Sequence, residues 1–417
     1  MLKKMLLLLL ALLMVMLSTV ASAQISNKDM QLMGGILVSN ANDSFFFAPL
    51  EQGMPQRWAL YSLSACAEGY LAEVNGYPAR LVHADDQKVY FLAYTDANRS
   101  VHALFELDIA SKEINPTPLL ADIATAFVES DDKFLYVSVE DPYMLCRYDI
   151  STRTATELKS MKDSKKTIYD ACVYNGDVYF ITKSESGSED TYLLNSNNKA
   201  NNENAPKPEL YTGVLHNGYR LYTGDKLGST LYAVAIGKKN GVQLGAKYKV
   251  GLNSLRYGSY LYTYNPESNE IIAISFETGD ERALRLDGES LLSRLVISGS
   301  ADEIYYYYSG AVYQAPADLS SSTKLFNFDS TVGGTNITHV VPAGPNAIAV
   351  MGYNGESSTN AASILPTNVY LYNRADGEMI FGFPAPGDEI QEFVPGTGPI
   401  GDIPTTPADD GETYFYF

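Results

Sequence analysis

The chain has 417 residues, with 49 Asp or Glu against 30 Lys or Arg, a formal net charge of −19 and 46% apolar residues. That apolar content supplies a core and excludes disorder for the bulk, while the acidity argues against nucleic acid and anionic membrane surfaces, which repel it. Thirty-one tyrosines beside a single tryptophan are the other compositional mark.

Lys3 and Lys4 precede an unbroken apolar run from Met5 to Leu17. Its length suits a signal-peptide h-region and is short for a membrane span. Ala21-Ser22-Ala23 then offers the small residues that a signal peptidase needs. Residues 1–23 are therefore expected to be a signal peptide cleaved after Ala23, with the product secreted or extracytoplasmic and no transmembrane segment in the mature chain. Loss of the two lysines moves the net charge from −19 to −21. Residues 24–33 read as a lead-in, 34–385 as the main domain and 386–417 as a tail.

One pattern recurs through the main domain. In Tyr174-Asn175-Gly176-Asp177-Val178-Tyr179-Phe180 an apolar strand meets an Asn-Gly turn and an aromatic strand returns. Asn-Gly suits a type I′ hairpin because both turn positions need positive φ. His216-Asn217-Gly218-Tyr219-Arg220-Leu221-Tyr222 and Arg256-Tyr257-Gly258-Ser259-Tyr260-Leu261-Tyr262 repeat it. Versions with Asp in the turn begin at Asp85-Asp86, Asp131-Asp132 and Ala301-Asp302-Glu303, and divergent copies lie at Asn42-Asp43 and Pro345-Asn346. Equivalent positions 46, 90, 136, 179, 222, 262, 305 and 349 are separated by 44, 46, 43, 43, 40, 43 and 44 residues. Each copy continues through a polar loop, an alternating strand and a final apolar strand, as in Glu270–Ile274 followed by Arg282–Leu286. A period of this size with four strands per copy predicts an all-β fold, a β-propeller of eight blades, or seven if a terminal copy is incomplete. A β-sandwich or solenoid is the rival arrangement.

Two segments fall outside the repeat. Residues 195–208 read as a polar surface loop inserted between the last strands of the fourth copy. The 32 residues from Pro386 carry seven acids and no Lys or Arg, yet end in Thr413-Tyr414-Phe415-Tyr416-Phe417, an aromatic stretch able to pair with a blade edge or to dock on a partner.

The sequence holds little chemistry. Cys66, Cys146 and Cys172 read as small buried hydrophobes, with a Cys146–Cys172 pair left open. His83, His102, His216 and His339 are assigned to different repeats with no paired spacing, His216 as a solvated turn residue, and no metal site is expected. Asp85, Asp86, Asp131, Asp132, Asp302 and Glu303 are the carboxylates available for glycosidic hydrolysis, but they occupy turns where acidic residues are structural. No nucleophile elbow, calcium loop or phosphate-binding glycine motif occurs; Gly34-Gly35 and Gly333-Gly334 punctuate loops.

Leu221-Tyr222-Thr223-Gly224-Asp225 with Leu231-Tyr232-Ala233-Val234, and Leu135-Tyr136-Val137 leading to Tyr148-Asp149, are similar to the YWTD-type propellers of lipoprotein receptors. The missing tryptophan keeps receptor ligands from being carried over. More closely, the chain looks like a family of exported bacterial propellers of unknown function that share a loose signature of the Tyr174–Phe180 kind, a likeness covering residues 34–385. The resemblance implies fold, export and a binding role, and supplies no catalytic residues. The expected function is thus a non-enzymatic scaffold, acting as a monomer, that binds protein, peptide or glycan on a propeller face without cofactor or nucleic acid. An extracellular carbohydrate hydrolase or lyase is the alternative, and it requires carboxylates converging at one channel mouth beside an exposed aromatic platform.

Overall fold

The structure is a computed structural model. It describes residues 35–51, 57–74, 76–96, 98–174, 176–186, 189–194, 200–202, 214–223, 231–235, 238, 240–245, 250, 254–287, 295–300, 302–328, 335–354 and 365–384. Residues 1–23, expected to be a signal peptide, most of the 195–208 segment and the tail expected from Pro386 lie outside them.

Among the described residues there are thirty-two strands and one short 3₁₀ turn, Lys162–Ser164. The strands fall in chain order into eight successive units of four, each an antiparallel meander. Among the described residues no helix is long and apolar enough to cross a membrane. The fold is a β-propeller. Every repeat position from Phe46 to Ala349 lands on the second strand of its unit, so the period in the sequence is the period of the sheets. Local turn chemistry explains why: Asn217 and Gly218 have φ of 44° and 80°, both in the left-handed region a tight hairpin turn needs.

The strands differ by depth. Second and third strands are buried on both faces, as in Lys88–Tyr94 and Glu270–Ser275, whereas fourth strands such as Thr154–Ser160 and Glu281–Arg285 are largely exposed. The fourth strand expected to be apolar is therefore mostly a solvated rim, because radial sheets diverge outward and lose their neighbours. The segment expected to be an inserted loop contributes a fourth strand: Ala200–Asn202 pairs with Glu189–Leu194 and completes the fourth unit.

Neighbouring units pack face to face. Leu135, Leu145, Ile168 and Phe180 join the third and fourth, and Leu221, Ala233, Leu261 and Ile272 join the fifth and sixth. The first unit meets the last through Phe381, whose ring lies 5.5 Å from Phe46 and 5.2 Å from Tyr61. No strand of the first unit pairs with one of the last among the described residues, so side-chain packing makes this seam.

The second and third units are joined more intimately. The second unit's fourth strand, Glu113–Ile114, covers only one end of its third strand, His102–Asp108. The following strand, Leu120–Ser130, pairs with the other end of that strand, at His102↔Ile123 and Leu104↔Leu120, before becoming the inner strand of the third unit. One eight-stranded sheet results.

Inner strands are linked around the ring by polar contacts. Leu81 N–H donates to Gly35 O at 2.6 Å, Leu215 N–H to the Asp170 carboxylate at 2.8 Å, and Val340 N–H to Ser298 Oγ at 3.3 Å. Gly35 has φ of 64°, and a Cβ there would stand 2.7 Å from Arg80 Cβ, so this close approach requires glycine.

Candidate functional site

Meandering strands put the turns after each first and third strand at one face of the ring and the remaining connections at the other. The six acids singled out in the sequence lie at the first face. Asp85 closes its own turn, its Oδ1 accepting the Gln87 and Lys88 amides at 2.8 and 2.7 Å and its Oδ2 the Tyr90 hydroxyl at 3.3 Å. Asp86 accepts a hydrogen bond from Asn42 Nδ2 of the first unit at 3.2 Å. Asp132 accepts from Ser130 Oγ at 3.1 Å and Lys133 Nζ at 3.4 Å. Asp302 is a turn residue whose amide donates to Ser300 Oγ at 3.3 Å. Glu303 is not: it opens a second strand, Glu303–Tyr308, and its carboxylate accepts the Tyr305 hydroxyl and Gln314 Nε2, both at 2.8 Å.

Three of these acids do come together. Asp85, Asp131 and Asp132 surround His83, whose ring is also hydrogen-bonded to the Asp131 backbone; burial nevertheless holds its pKa below the usual histidine range. The neighbouring ring, Tyr90 at 5.8 Å, is buried, so no exposed aromatic platform stands here among the described residues. Nearby, buried Glu106 receives Lys88 Nζ at 2.8 Å and Arg153 Nη2 of the third unit at 2.7 Å. Lys133 reaches Asp149 at 3.3 Å. At this face the charges neutralise one another across the joint between the second and third units.

The histidines need two corrections. His83 and His102 share the second unit, on its first and third strands, because the repeat is longer than the interval between them. His216 is no solvated turn residue: it ends the strand Val214–His216, faces Gly258 O of the next unit at 3.0 Å through Nε2, and packs its ring on Phe276 at 5.6 Å. His339 shares a hydrogen bond with Thr338 Oγ1 at 2.9 Å, and burial pushes its pKa down to about 4. Among the described residues no group of three His, Cys, Asp or Glu is placed to hold a metal ion. Cys66, Cys146 and Cys172 are thiols, and no disulfide joins Cys146 to Cys172.

The opposite face of the same joint has a different character. The inner strand Tyr77–Ala84 carries two register shifts, between Pro78 and Arg80 and between Leu81 and His83. A bulge leaves one residue unpaired and re-aims those that follow. Here two bulges convert the ordinary alternation into a period of three, with Tyr77, Arg80 and His83 half-buried and the residues between them buried. Arg80 reaches across to the third unit, Nη2 donating to Ala126 O at 2.7 Å. Beside it, Tyr94 and His102 are opposed across strands with ring centroids 4.5 Å apart. His102 Nδ1 faces Ile123 O at 3.4 Å. Burial and then the Arg80 charge push its pKa down to about 4, so the imidazole is neutral at pH 7. Arg99, on the adjoining loop, stacks on the Tyr77 ring at 4.1 Å.

None of Arg80, Tyr94 and Tyr77 was singled out in the sequence. The detectable signal was the spacing in Tyr77-Pro78-Ala79-Arg80-Leu81-Val82-His83, where pairs of apolar residues separate polar ones and break the alternation of a regular strand.

No family model matches the sequence, and no curated protein matches it. Solved structures do. AztD from Citrobacter koseri aligns with a TM-score of 0.44 at 11% identity, covering 81% of this chain and 93% of that one. The β-propeller domain of the Trilobed protease from Pyrococcus furiosus aligns at 0.39 and 8% identity, covering 74% and 99%. An oligogalacturonate lyase in complex with manganese aligns at 0.38 and 10% identity, covering 83% and 84%. At such identities the likeness concerns the fold and no further property.

Proposed function

We propose that the chain is an exported, non-enzymatic β-propeller whose ring of eight units presents a rigid surface for binding a ligand in the extracytoplasmic space. The observation that carries this reading is the state of the acidic face. The carboxylates gathered there serve turn and strand hydrogen bonds or paired cations, and the rings beside them are buried. A glycosidase needs two carboxylates with unequal, unsatisfied environments across a substrate cleft. The paired cluster supports a structural task instead, which leaves the connections of the opposite face to bind. The apolar run and Ala21-Ser22-Ala23 support export.

The test is a binding screen of the exported protein on glycan and peptide arrays, run beside hydrolase and lyase assays on extracellular polysaccharides. Saturable binding without turnover is the expected result. Turnover of any polysaccharide, lost on substitution of Asp85, Asp131 or Asp132, overturns it.

A further inference from the structure

Two arginines of the inner strands lose hydration, and they are treated differently. Burial lowers the pKa of both Arg80 and Arg256. Arg256 faces the compensating charge of Asp170. Arg80 has no carboxylate at ion-pair distance among the described residues. A buried cation without a counter-charge is costly to keep in a fold. It persists where something outside the protein supplies the missing charge.

The surroundings of Arg80 are those of a receptor. Its side chain is enclosed by protein, between Gly35 of the first unit and Ala126 of the third, yet keeps accessible surface. Nη2 is engaged with Ala126 O; Nε and Nη1 make no hydrogen bond among the described residues and are not sealed from solvent. Nε2 of His102 likewise makes no hydrogen bond among the described residues and is not sealed from solvent; with the Nδ1 proton on Ile123 O and the ring neutral, it is an acceptor. Arg80, set by the two β-bulges of its strand, stands close enough to His102 for its charge to act on that ring, at the wedge between the second and third units with the Tyr94 ring as one wall. Asp96, whose charge acts on His102, is turned to its own loop, where its carboxylate accepts the Ser100 amide and hydroxyl and the Val101 amide at 2.8–2.9 Å.

We infer that this wedge binds the carboxylate of a small hydroxylated ligand, with the Arg80 guanidinium pairing the anion, His102 Nε2 accepting a hydrogen bond from a ligand hydroxyl and Tyr94 stacking on the ligand's body. The inference rests on the binding-scaffold reading and names its ligand class. A carboxylate is favoured over phosphate by charge: among the described residues Arg80 is the cation here that no acid compensates, Arg99 is stacked on Tyr77 and His102 is neutral, so a monoanion balances the wedge. A planar guanidinium also matches a carboxylate with two parallel donors, here the second Nη2 hydrogen beside Nε or Nη1. A ring carrying C–H faces suits the aromatic wall, which makes a sugar acid or a hydroxy acid the fitting source of that carboxylate.

The experiment is calorimetric titration of the exported protein with D-glucuronate, L-lactate, D-glucose and inorganic phosphate. Saturable binding of glucuronate or lactate, with glucose and phosphate at least tenfold weaker, is expected; glucuronate alone identifies a sugar acid, and lactate equally well a plain hydroxy acid. Folded Arg80→Met must weaken the carboxylate at least tenfold, while Arg153→Ala, at the opposite face, leaves it within twofold. If Arg80→Met does not fold, phenylglyoxal labelling of the unaltered protein decides the matter: glucuronate must protect Arg80 and leave Arg57, with 58% of its side chain exposed, fully labelled. Absence of carboxylate binding, phosphate binding tighter than carboxylate, or unchanged affinity in Arg80→Met overturns the inference. Array binding that persists in that case leaves the scaffold reading standing, whereas turnover of a glucuronide at an Arg80-dependent site removes the non-enzymatic reading and keeps the site.

Discussion

The two ends of the joint between the second and third units are built from the same strands and treat charge in opposite ways. At the hairpin end, Glu106 lies between Lys88 and Arg153 and Asp85 is saturated by its own turn. At the other end, Arg80 is desolvated with no acid to meet it among the described residues. Stability is served by the first arrangement alone. The difference teaches that burial of a charged group is not by itself a sign of function; burial without a partner, in a place that water still reaches, is.

The largest effect should come from breaking the balanced end. Glu106→Ala leaves Lys88 and Arg153 facing each other without the buried anion and is expected to cost about 3 kcal/mol, at the lower limit for a broken buried pair because both cations keep some solvent; urea unfolding measures it. A change below about 1 kcal/mol would erase the contrast between the two ends.

Acid should act next. His102 and His339 have pKa values pushed down to about 4 and His83 is also lowered, all against an unfolded value near 6.5. A depressed histidine binds fewer protons folded than unfolded, so stability rises with pH through this window and is lost as pH falls from about 6.5 toward 4. The carboxylates held low by hydrogen bonds, such as Asp149 and Asp108, withdraw their contribution only below about 4, as their unfolded counterparts protonate. Denaturant midpoints measured from pH 7 to 4 should therefore fall, and the slope should flatten in His102→Phe. A midpoint constant across that range would show that the open end carries no desolvation cost.

Asp85→Ala removes the acceptor of two turn amides and should cost about 1 kcal/mol without altering carboxylate binding. Smallest is the most telling substitution. Arg80→Met exchanges an uncompensated cation for an apolar side chain of similar length and should leave stability within about 0.5 kcal/mol of wild type, or raise it. A loss comparable to that of Glu106→Ala would mean that Arg80 is a structural residue and that the two ends are alike.

The hairpin turns, the second strands and the four-strand repeat were legible because they depend on neighbours in sequence. Asn217-Gly218 sets its own turn, and alternation with aromatic content marks a strand wherever it lies. The acids were correctly read as turn residues for the same reason, except Glu303, where the turn ends one residue earlier and the side chain joins a strand network. The strand pairing of Leu120–Ser130 with His102–Asp108 was not legible. It depends on the preceding fourth strand stopping after Glu113–Ile114 and leaving an edge open, which no local propensity states.

What the sequence determined by itself, then, is the unit: its period, its turns, its strand order and the tyrosines that fill it, since each follows from hydrogen bonds and pleat within about forty residues. What tertiary structure decided is which charges meet. Glu106 finds Arg153 and Arg80 finds the Ala126 carbonyl only because one unit is laid against the next and two bulges turn the inner strand by a period of three. Coulomb energy depends on distance and on the water excluded between groups, and both are set by the ring rather than by the chain.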